Sequence, residues 1–481
     1  MKTVLLTIDI GTSSFKSALW DFDGNRLSFA AVPLSIDSDG LKHEAGCAQW
    51  LRAFESCCQK LVCGAGFGTL AVVEAVIVSG NGPSLVPVLG EPSVVEGLSL
   101  PAQDARLWLD RRAVKYQADV SEAMDGFVDA SFFLPKIFYI KSDENELYRR
   151  TKYFLGCPEY LCCALTGEAR TVFPSDGFDR WFWNDAVLER LGLDAGKFPP
   201  FIRPGDSYGT VLPQAARRFG FSKDVPVITG GPDFFASILG AGVTQPGQAC
   251  DRTGSSEGIN LCTRSRVNDQ RLMSYGHPVK PYWNLSGVIN TTGKAIEWCI
   301  DLLGIDNFDD FIALAGQSRS GSGGLVFVPY LAGERAPVWD PSARGLWRGI
   351  GLSCGRAEFA NSVLEGTAFA IRDVISVMEE SGERAEQLRV TGGLAGCSRL
   401  NQIKADVTGR EITEPVHKEA ELLGLAVIGA CSLGKYSSFA DACAAMFRAE
   451  KHYSPNPENA ALYDELFAEY RKSRGASIQA E

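Results

Sequence analysis

The chain has 481 residues, a length of about three domains or two large ones at roughly 150 residues each. Lysine and arginine number 47 against 58 acidic residues, a net charge of −11, and 45% of the chain is hydrophobic. That balance suits large folded cores and excludes a disordered or fibrous chain. It also argues against a nucleic-acid binder, which would carry a basic patch. The 14 cysteines form no C-x-x-C pair and several sit in apolar runs such as Leu161 to Leu165, so they read as small buried hydrophobes. The four histidines are dispersed and suggest no metal centre. The opening segment, MKTVLLTIDIG, is not expected to direct export, and no apolar run reaches the roughly 18 residues of a membrane helix. A cytoplasmic protein without a membrane partner is expected.

In chain order, Val4 to Ile10, Ser14 to Asp21 and Arg26 to Leu34 predict three strands, the last two joined by the turn Phe22-Asp-Gly-Asn25. Trp50 to Val62 has helical spacing and Val72 to Val78 predicts a buried strand. The order then recurs. Gln248 to Thr253 and Glu257 to Thr263 predict paired strands, Thr292 to Leu303 a helix and Leu325 to Pro329 a strand. Phe359 to Met378 predicts a long helix and Leu388 to Thr391 a buried strand. An offset of 242 lays Asp9-Ile-Gly-Thr-Ser-Ser14 over Asp251-Arg-Thr-Gly-Ser-Ser256, with three of six positions identical, which suggests an internal duplication. The turn-rich Thr244-Gln-Pro-Gly247 marks a boundary, giving units 1–244 and 245–435 and a helical tail, 436–481.

Glycine supplies 50 residues, about 10% against a typical ~7%, and clusters at strand ends. Asp9 ends the first strand and is followed by the turn Gly11, Thr12, Ser13. Such a turn offers N–H groups and hydroxyls to a phosphate, and the carboxylate can hold Mg²⁺. Thr253 and Gly254 repeat the pattern. Neither a P-loop nor a protein-kinase glycine-rich loop is present. In Gly230-Gly-Pro-Asp-Phe234, Asp233 begins an apolar helix, either as a helix cap or as a base that takes a proton from a hydroxyl. Phe327 to Gly345 mixes proline, glycine, arginine and aromatics as no regular element does. Val390 to Asp406 reads strand, Gly392-Gly393, helix, a shape suited to adenine and phosphates.

The order of these motifs resembles the FGGY family of carbohydrate kinases from about residue 3 to 435. Tyr330-Leu-Ala-Gly-Glu-Arg-Ala-Pro337 with Asp340-Pro-Ser-Ala-Arg-Gly345 is similar to the family's signature, and Gly392, Gly393, Gln402 and Asp406 to its adenosine motif. The resemblance implies an α/β fold of two ribonuclease H-like, actin-like ATPase domains related by duplication, with the active site in the interlobe cleft. It implies ATP and Mg²⁺ as cofactors, Asp9 at the metal and Asp233 as the catalytic base. Gly11, Thr12, Ser13, Thr253 and Gly254 would cradle phosphates, and Gly293, Gly392, Gly393 and Cys397 would line the adenosine pocket. Lobe closure would assemble the site and exclude water. Asn81, Gly82, Trp108, Asp110, Asp233 and Phe234 would face a small sugar or polyol, and Phe132 and Phe133 a pocket wall. The implied reaction is phosphorylation of a pentulose such as xylulose or ribulose. Gluconate, erythritol or glycerol remain open as substrates, as does a non-catalytic sugar sensor. Where xylulose kinases read Ser-Gly-Gln-Met-His-Gly, this chain reads Ser79-Gly-Asn-Gly-Pro-Ser84, so that loop does not carry the substrate over. Several family members are homodimers; no interface is legible here.

Overall fold

The structure is a computed structural model that describes residues 3–65, 73–90, 100–222 and 224–478. The chain divides into two compact units, 1–240 with 421–446, and 241–420 with 447–481.

The first unit is built on a six-stranded mixed sheet: β1 (Val4–Ile10), β2 (Ser14–Trp20), β3 (Arg26–Pro33), β4 (Val73–Gly80), β5 (Ser207–Thr210) and β6 (Pro226–Pro232), in the order β5-β6-β4-β1-β2-β3. The expected start of β4 at Val72 lies outside the described residues. The opening strands alternate around tight turns and pair antiparallel, with Asp9 opposite Lys16. β1, β4 and β6 are parallel neighbours, and their apolar, β-branched sequences fit burial on both faces. The helix Cys47–Ala65 packs on β2 and β3, and the helix Cys157–Thr166, buried on every side, packs on β4 to β6. Ten of the 14 cysteines are buried, so their apolar reading holds. Phe132 stacks on Trp181 at 5.6 Å, and Trp181, Phe182 and Trp183 are themselves buried.

The second unit carries a seven-stranded sheet: β7 (Gln248–Thr253), β8 (Glu257–Thr263), β9 (Met273–Gly276), β10 (Trp283–Ile289), β11 (Gln387–Gly392), β12 (Glu411–Pro415) and β13 (Ala449–Tyr453), in the order β9-β10-β8-β7-β11-β12-β13. Apart from the extra edge strand β9, this repeats the first sheet strand for strand, as the duplication predicts. The strand expected at Leu325 to Pro329 forms as Val326–Val328 and pairs, among the described residues, with Leu346–Arg348 in a ribbon separate from the large sheet. The long helix spans Arg356–Glu380, with the tail helix Ala460–Ile478 packed on it.

The units are not contiguous in sequence. The helix Ala420–Ser432, from Glu421 onward, belongs to the first unit, although the expected second domain ran to 435. Its glycines explain the placement. A Cβ at Gly424 would stand 1.8 Å from the carbonyl oxygen of Ala236, and one at Gly429 would stand 2.7 Å from Ile77. Leu425 fills the space a side chain at Gly230 would need. Among the described residues, no helix is long and apolar enough to cross a membrane.

Gly424→Ala is expected to cost about 1–3 kcal/mol through overpacking against rigid backbone. Urea unfolding should show a lower midpoint at unchanged slope; a midpoint equal to the parent's would show that the helix can move away.

Candidate active site

Parallel pairing sets the geometry of the first unit's site. Asp9 pairs with Ser79 and Ile10 with Gly80, while Gly231 pairs with Ser79 and Pro232 with Gly80. The carboxyl ends of β1, β4 and β6 are therefore level, and Asp9, Asn81 and Asp233 leave three adjacent strands at one edge. Neighbouring strands lie about 4.8 Å apart, so β1 and β6 stand about 10 Å apart across β4. In open α/β sheets this edge is where ligands bind. A register shift between Thr229 and Gly231, with Gly231 at φ 77°, bends β6 just before Asp233. Asp233 then opens the helix Asp233–Gly240, its Oδ1 accepting from the N–H of Phe234 at 2.7 Å. Asp9 is buried and Asp233 half-buried. The buried Cys157 thiol reports both: burial pushes it well up, and the charges of Glu159, Asp9 and Asp233 add to the shift.

The turn Gly11, Thr12, Ser13 closes with the N–H of Gly11 on the carbonyl of Ser14 at 3.0 Å. A Cβ at Gly11 would meet that oxygen at 2.8 Å. Thr12 Oγ1 accepts from Trp108 Nε1 at 3.0 Å, which ties the indole to the turn. The Asn81 side chain donates to the carbonyl of Ile10 at 2.9 Å, and Ser84 Oγ donates to its Oδ1. Its amide thus braces the β1 and β4 ends against each other. Gly82 is exposed, with open space where a side chain would be.

Asp110 differs from the expectation of a substrate-facing carboxylate. It is 1% exposed, and both oxygens are taken by protein donors: the N–H of His43, the N–H of Arg112 and the Arg112 guanidinium at 2.7 Å. Burial works against its charge, but Arg112 and these N–H groups hold its carboxyl below the usual range. Phe234 stacks on Phe178 at 5.9 Å, and Phe178 meets Trp181 edge-on at 5.1 Å.

In the second unit the hairpin turn after Thr253 and the end of β11 lie side by side, Thr253 pairing with Gly392. Only glycine fits here. A Cβ at Gly392 (φ 88°) would stand 2.2 Å from the carbonyl of Thr253, and one at Gly293 would stand 2.3 Å from that of Gly254. Gly393 is exposed with open space at its Cα, and half-buried Cys397 precedes the helix Ser398–Thr408. These main-chain cradles suit phosphates and a nucleoside.

The Thr253 hydroxyl, expected at a phosphate, is committed elsewhere. It donates to Glu257 at 2.7 Å and accepts from Lys404 at 2.8 Å. Lys404 also binds Asp251 at 2.7 Å and Glu257 at 2.5 Å, all three side chains being at most 1% exposed. Burial and the charge of Glu257 push the Asp251 carboxyl well up, since one ammonium cannot balance two carboxylates. Asp251, which the duplication equates with Asp9, is therefore sealed in an ion cluster. Periodicity gave no signal of Lys404. Gln402 and Asp406 join each other at 2.8 Å and hold the segment 454–459, with Gln402 on the Ser454 carbonyl and Asp406 accepting from Asn456 and Asn459.

The signature segment braces the start of the helix Gly293–Leu302. Glu334 accepts from the N–H of Asn290 at 2.8 Å and of Arg335 at 2.7 Å, and Arg335 Nε donates to Asn290 Oδ1 at 2.6 Å. Asn290 lies just ahead of the helix Gly293–Leu302. Burial lifts the Glu334 carboxyl to about 7.

Comparison with known proteins fits this layout. The sequence profile of the FGGY family of carbohydrate kinases, N-terminal domain, matches residues 4–240, and that of its C-terminal domain matches 252–433. A xylulose kinase of Staphylococcus epidermidis is 27% identical over 486 residues, covering 98% of this chain and 96% of the relative. A gluconokinase of Bacillus subtilis is 24% identical, covering 97% and 94%. Among solved structures, ligand-bound xylulose kinase from Lactobacillus acidophilus superposes with a TM-score of 0.86 at 22% identity, covering 99% of each chain. Plasmodium falciparum glycerol kinase with ADP gives 0.84 at 17% identity, covering 100% and 99%.

Lys404→Met is expected to cost about 3–5 kcal/mol, because it leaves two buried carboxyls without their counter-charge. Thermal unfolding should show the loss. A variant as stable as the parent would mean that the carboxyls share a proton without needing the lysine.

Proposed function

The chain belongs to the FGGY family of carbohydrate kinases, and from that premise we propose that it transfers the γ-phosphoryl group of ATP to a hydroxyl of a small sugar or polyol, a pentulose such as xylulose or ribulose. The observation that carries the reading is the alignment of Asp9, Asn81 and Asp233 at the carboxyl ends of three adjacent parallel strands.

In this reading Asp233 accepts the proton of the sugar hydroxyl as its oxygen bonds to the γ-phosphorus in line and the bond to the ADP oxygen breaks. Asp9 would hold Mg²⁺; its buried place beside the turn Gly11, Thr12, Ser13 fits a carboxylate that keeps a cation next to a bound phosphate. When bound, Mg-ATP supplies the phosphoryl group, and the metal spreads the charge that develops on it. The Gly254 turn holds phosphates through main-chain N–H groups, and Gly293, Gly392, Gly393 and Cys397 border the nucleoside. Trp108, oriented by Thr12, packs on the carbon chain of the sugar, with Gly82 leaving room beside it and Phe234 on the side of the base. Asp110 serves by fixing the segment that carries Trp108. A pentulose is favoured by the xylulose kinases among the relatives, and the gluconokinase keeps an acid sugar as the second reading.

The test is ADP release with Mg-ATP across D-xylulose, L-xylulose, D- and L-ribulose, gluconate, erythritol and glycerol. One strongly stimulating compound is expected; silence across the panel with ATP bound would favour a sensor. Asp233→Asn should lower sugar-dependent turnover by about 10²–10⁴ while ATP still binds. Turnover that survives would remove Asp233 as the base.

A further inference from the structure

Lys136 lies in the helix Phe133–Asp143 and is 1% exposed. Its ammonium has no carboxylate within ion-pair distance among the described residues. Instead it donates to three main-chain carbonyls: Leu107 at 2.6 Å, Pro83 at 2.8 Å and Arg106 at 3.4 Å. Pro83 follows Gly82 in the loop after β4, and Leu107 precedes Trp108. These two segments meet nearby, where the N–H of Trp108 donates to Ser84 Oγ at 3.3 Å and Ser84 Oγ donates to Asn81. Trp108 reaches on to Thr12.

We propose that Lys136 is the positioning residue of the sugar side, a charged staple that holds the loop Asn81 to Ser84 against the segment Arg106 to Asp110. This rests on the kinase reading above and adds a residue to it.

Burying an ammonium costs several kcal/mol unless its protons are all satisfied. Three protons meeting three carbonyls is the arrangement that offsets the cost, and a neutral amine has one proton too few. The helix is itself anchored to the second segment, since the Arg106 guanidinium lies over the Tyr139 ring at 5.3 Å and pairs with Glu144. The charged groups facing Lys136 are Asp110, Asp129, Arg106 and Arg111, and burial outweighs their balance, bringing its amine down to about 7. The staple therefore loosens as pH rises through neutrality. Asp110 and Asp129, held below the usual carboxylate range by the arginines and N–H groups beside them, keep their charges over the same range.

The test compares Lys136→Met with the parent. Hydrogen exchange should show faster exchange confined to residues 81–84 and 106–110. With D-xylulose, or the panel sugar that the parent accepts, KM for the sugar should rise about tenfold or more, with KM for ATP within about twofold. Unchanged exchange in both segments, or KM values for sugar and ATP that move together, would overturn the proposal. Should Lys136→Met not fold, the parent decides: KM for the sugar should climb from pH 7 to 9, and a flat sugar KM would overturn it. If no sugar on the panel is accepted, the kinase reading fails on its own account, and the exchange measurement still decides whether Lys136 staples the loops.

Discussion

The constraint on which the first unit's site depends is the level pairing of β1, β4 and β6 at their carboxyl ends. It is set by hydrogen bonds between backbones, and the sequence protects it by removing side chains where chains must approach. Gly80 leaves room for the Cys157 thiol, and Gly230 leaves room for Leu425. Asn81 then locks the ends together through the carbonyl of Ile10. Without that alignment, Asp9 and Asp233 would be two carboxylates far apart in sequence with no shared edge.

Duplication supplied the same strand order twice, but the two copies diverged in chemistry. Asp9 lies opposite Lys16, whereas Asp251 lies opposite Ile259, a hairpin one residue longer than the 242-residue offset would give. A one-residue change of register exchanges the faces of a strand. Here it sets Glu257 beside Asp251 and Thr253, and Lys404 closes the cluster from the covering helix. One copy thus keeps its carboxylate at the carboxyl edge of the sheet beside Asn81 and Asp233, and the other buries the equivalent group in an ion cluster with Glu257 and Lys404.

Much of the polar chemistry that a motif search assigns to ligands is spent on holding loops. Asp110 grips Arg112 and the N–H of His43, Gln402 and Asp406 grip the segment before the last helix, and Glu334 and Arg335 grip Asn290. In a carbohydrate kinase this has a clear use. Phosphoryl transfer relies on positioning more than on reactive side chains, so residues that fix loops serve the reaction as directly as those that touch the substrate.

The strands and helices around the site were legible because burial imposes period two or 3.6 on a sequence, and strand-end glycines mark close approach. Val4 to Ile10, Gln248 to Thr253 and the long helix around Phe359 to Met378 could be read in this way, as could the two aspartates that end or follow strands. Lys404 could not, since a lysine inside a helical pattern looks like a solvated one until its neighbours are known. Nor could the return of residues 421–446 to the first unit, because an apolar helix records that it is buried but not by which surface. What the sequence determined by itself is local: the period, the turns and the residue types at strand ends. The tertiary structure alone decided which carboxylates remain at an edge and which are sealed with a lysine, because that depends on register and on which helix covers a face, and both are set by contacts between residues distant along the chain.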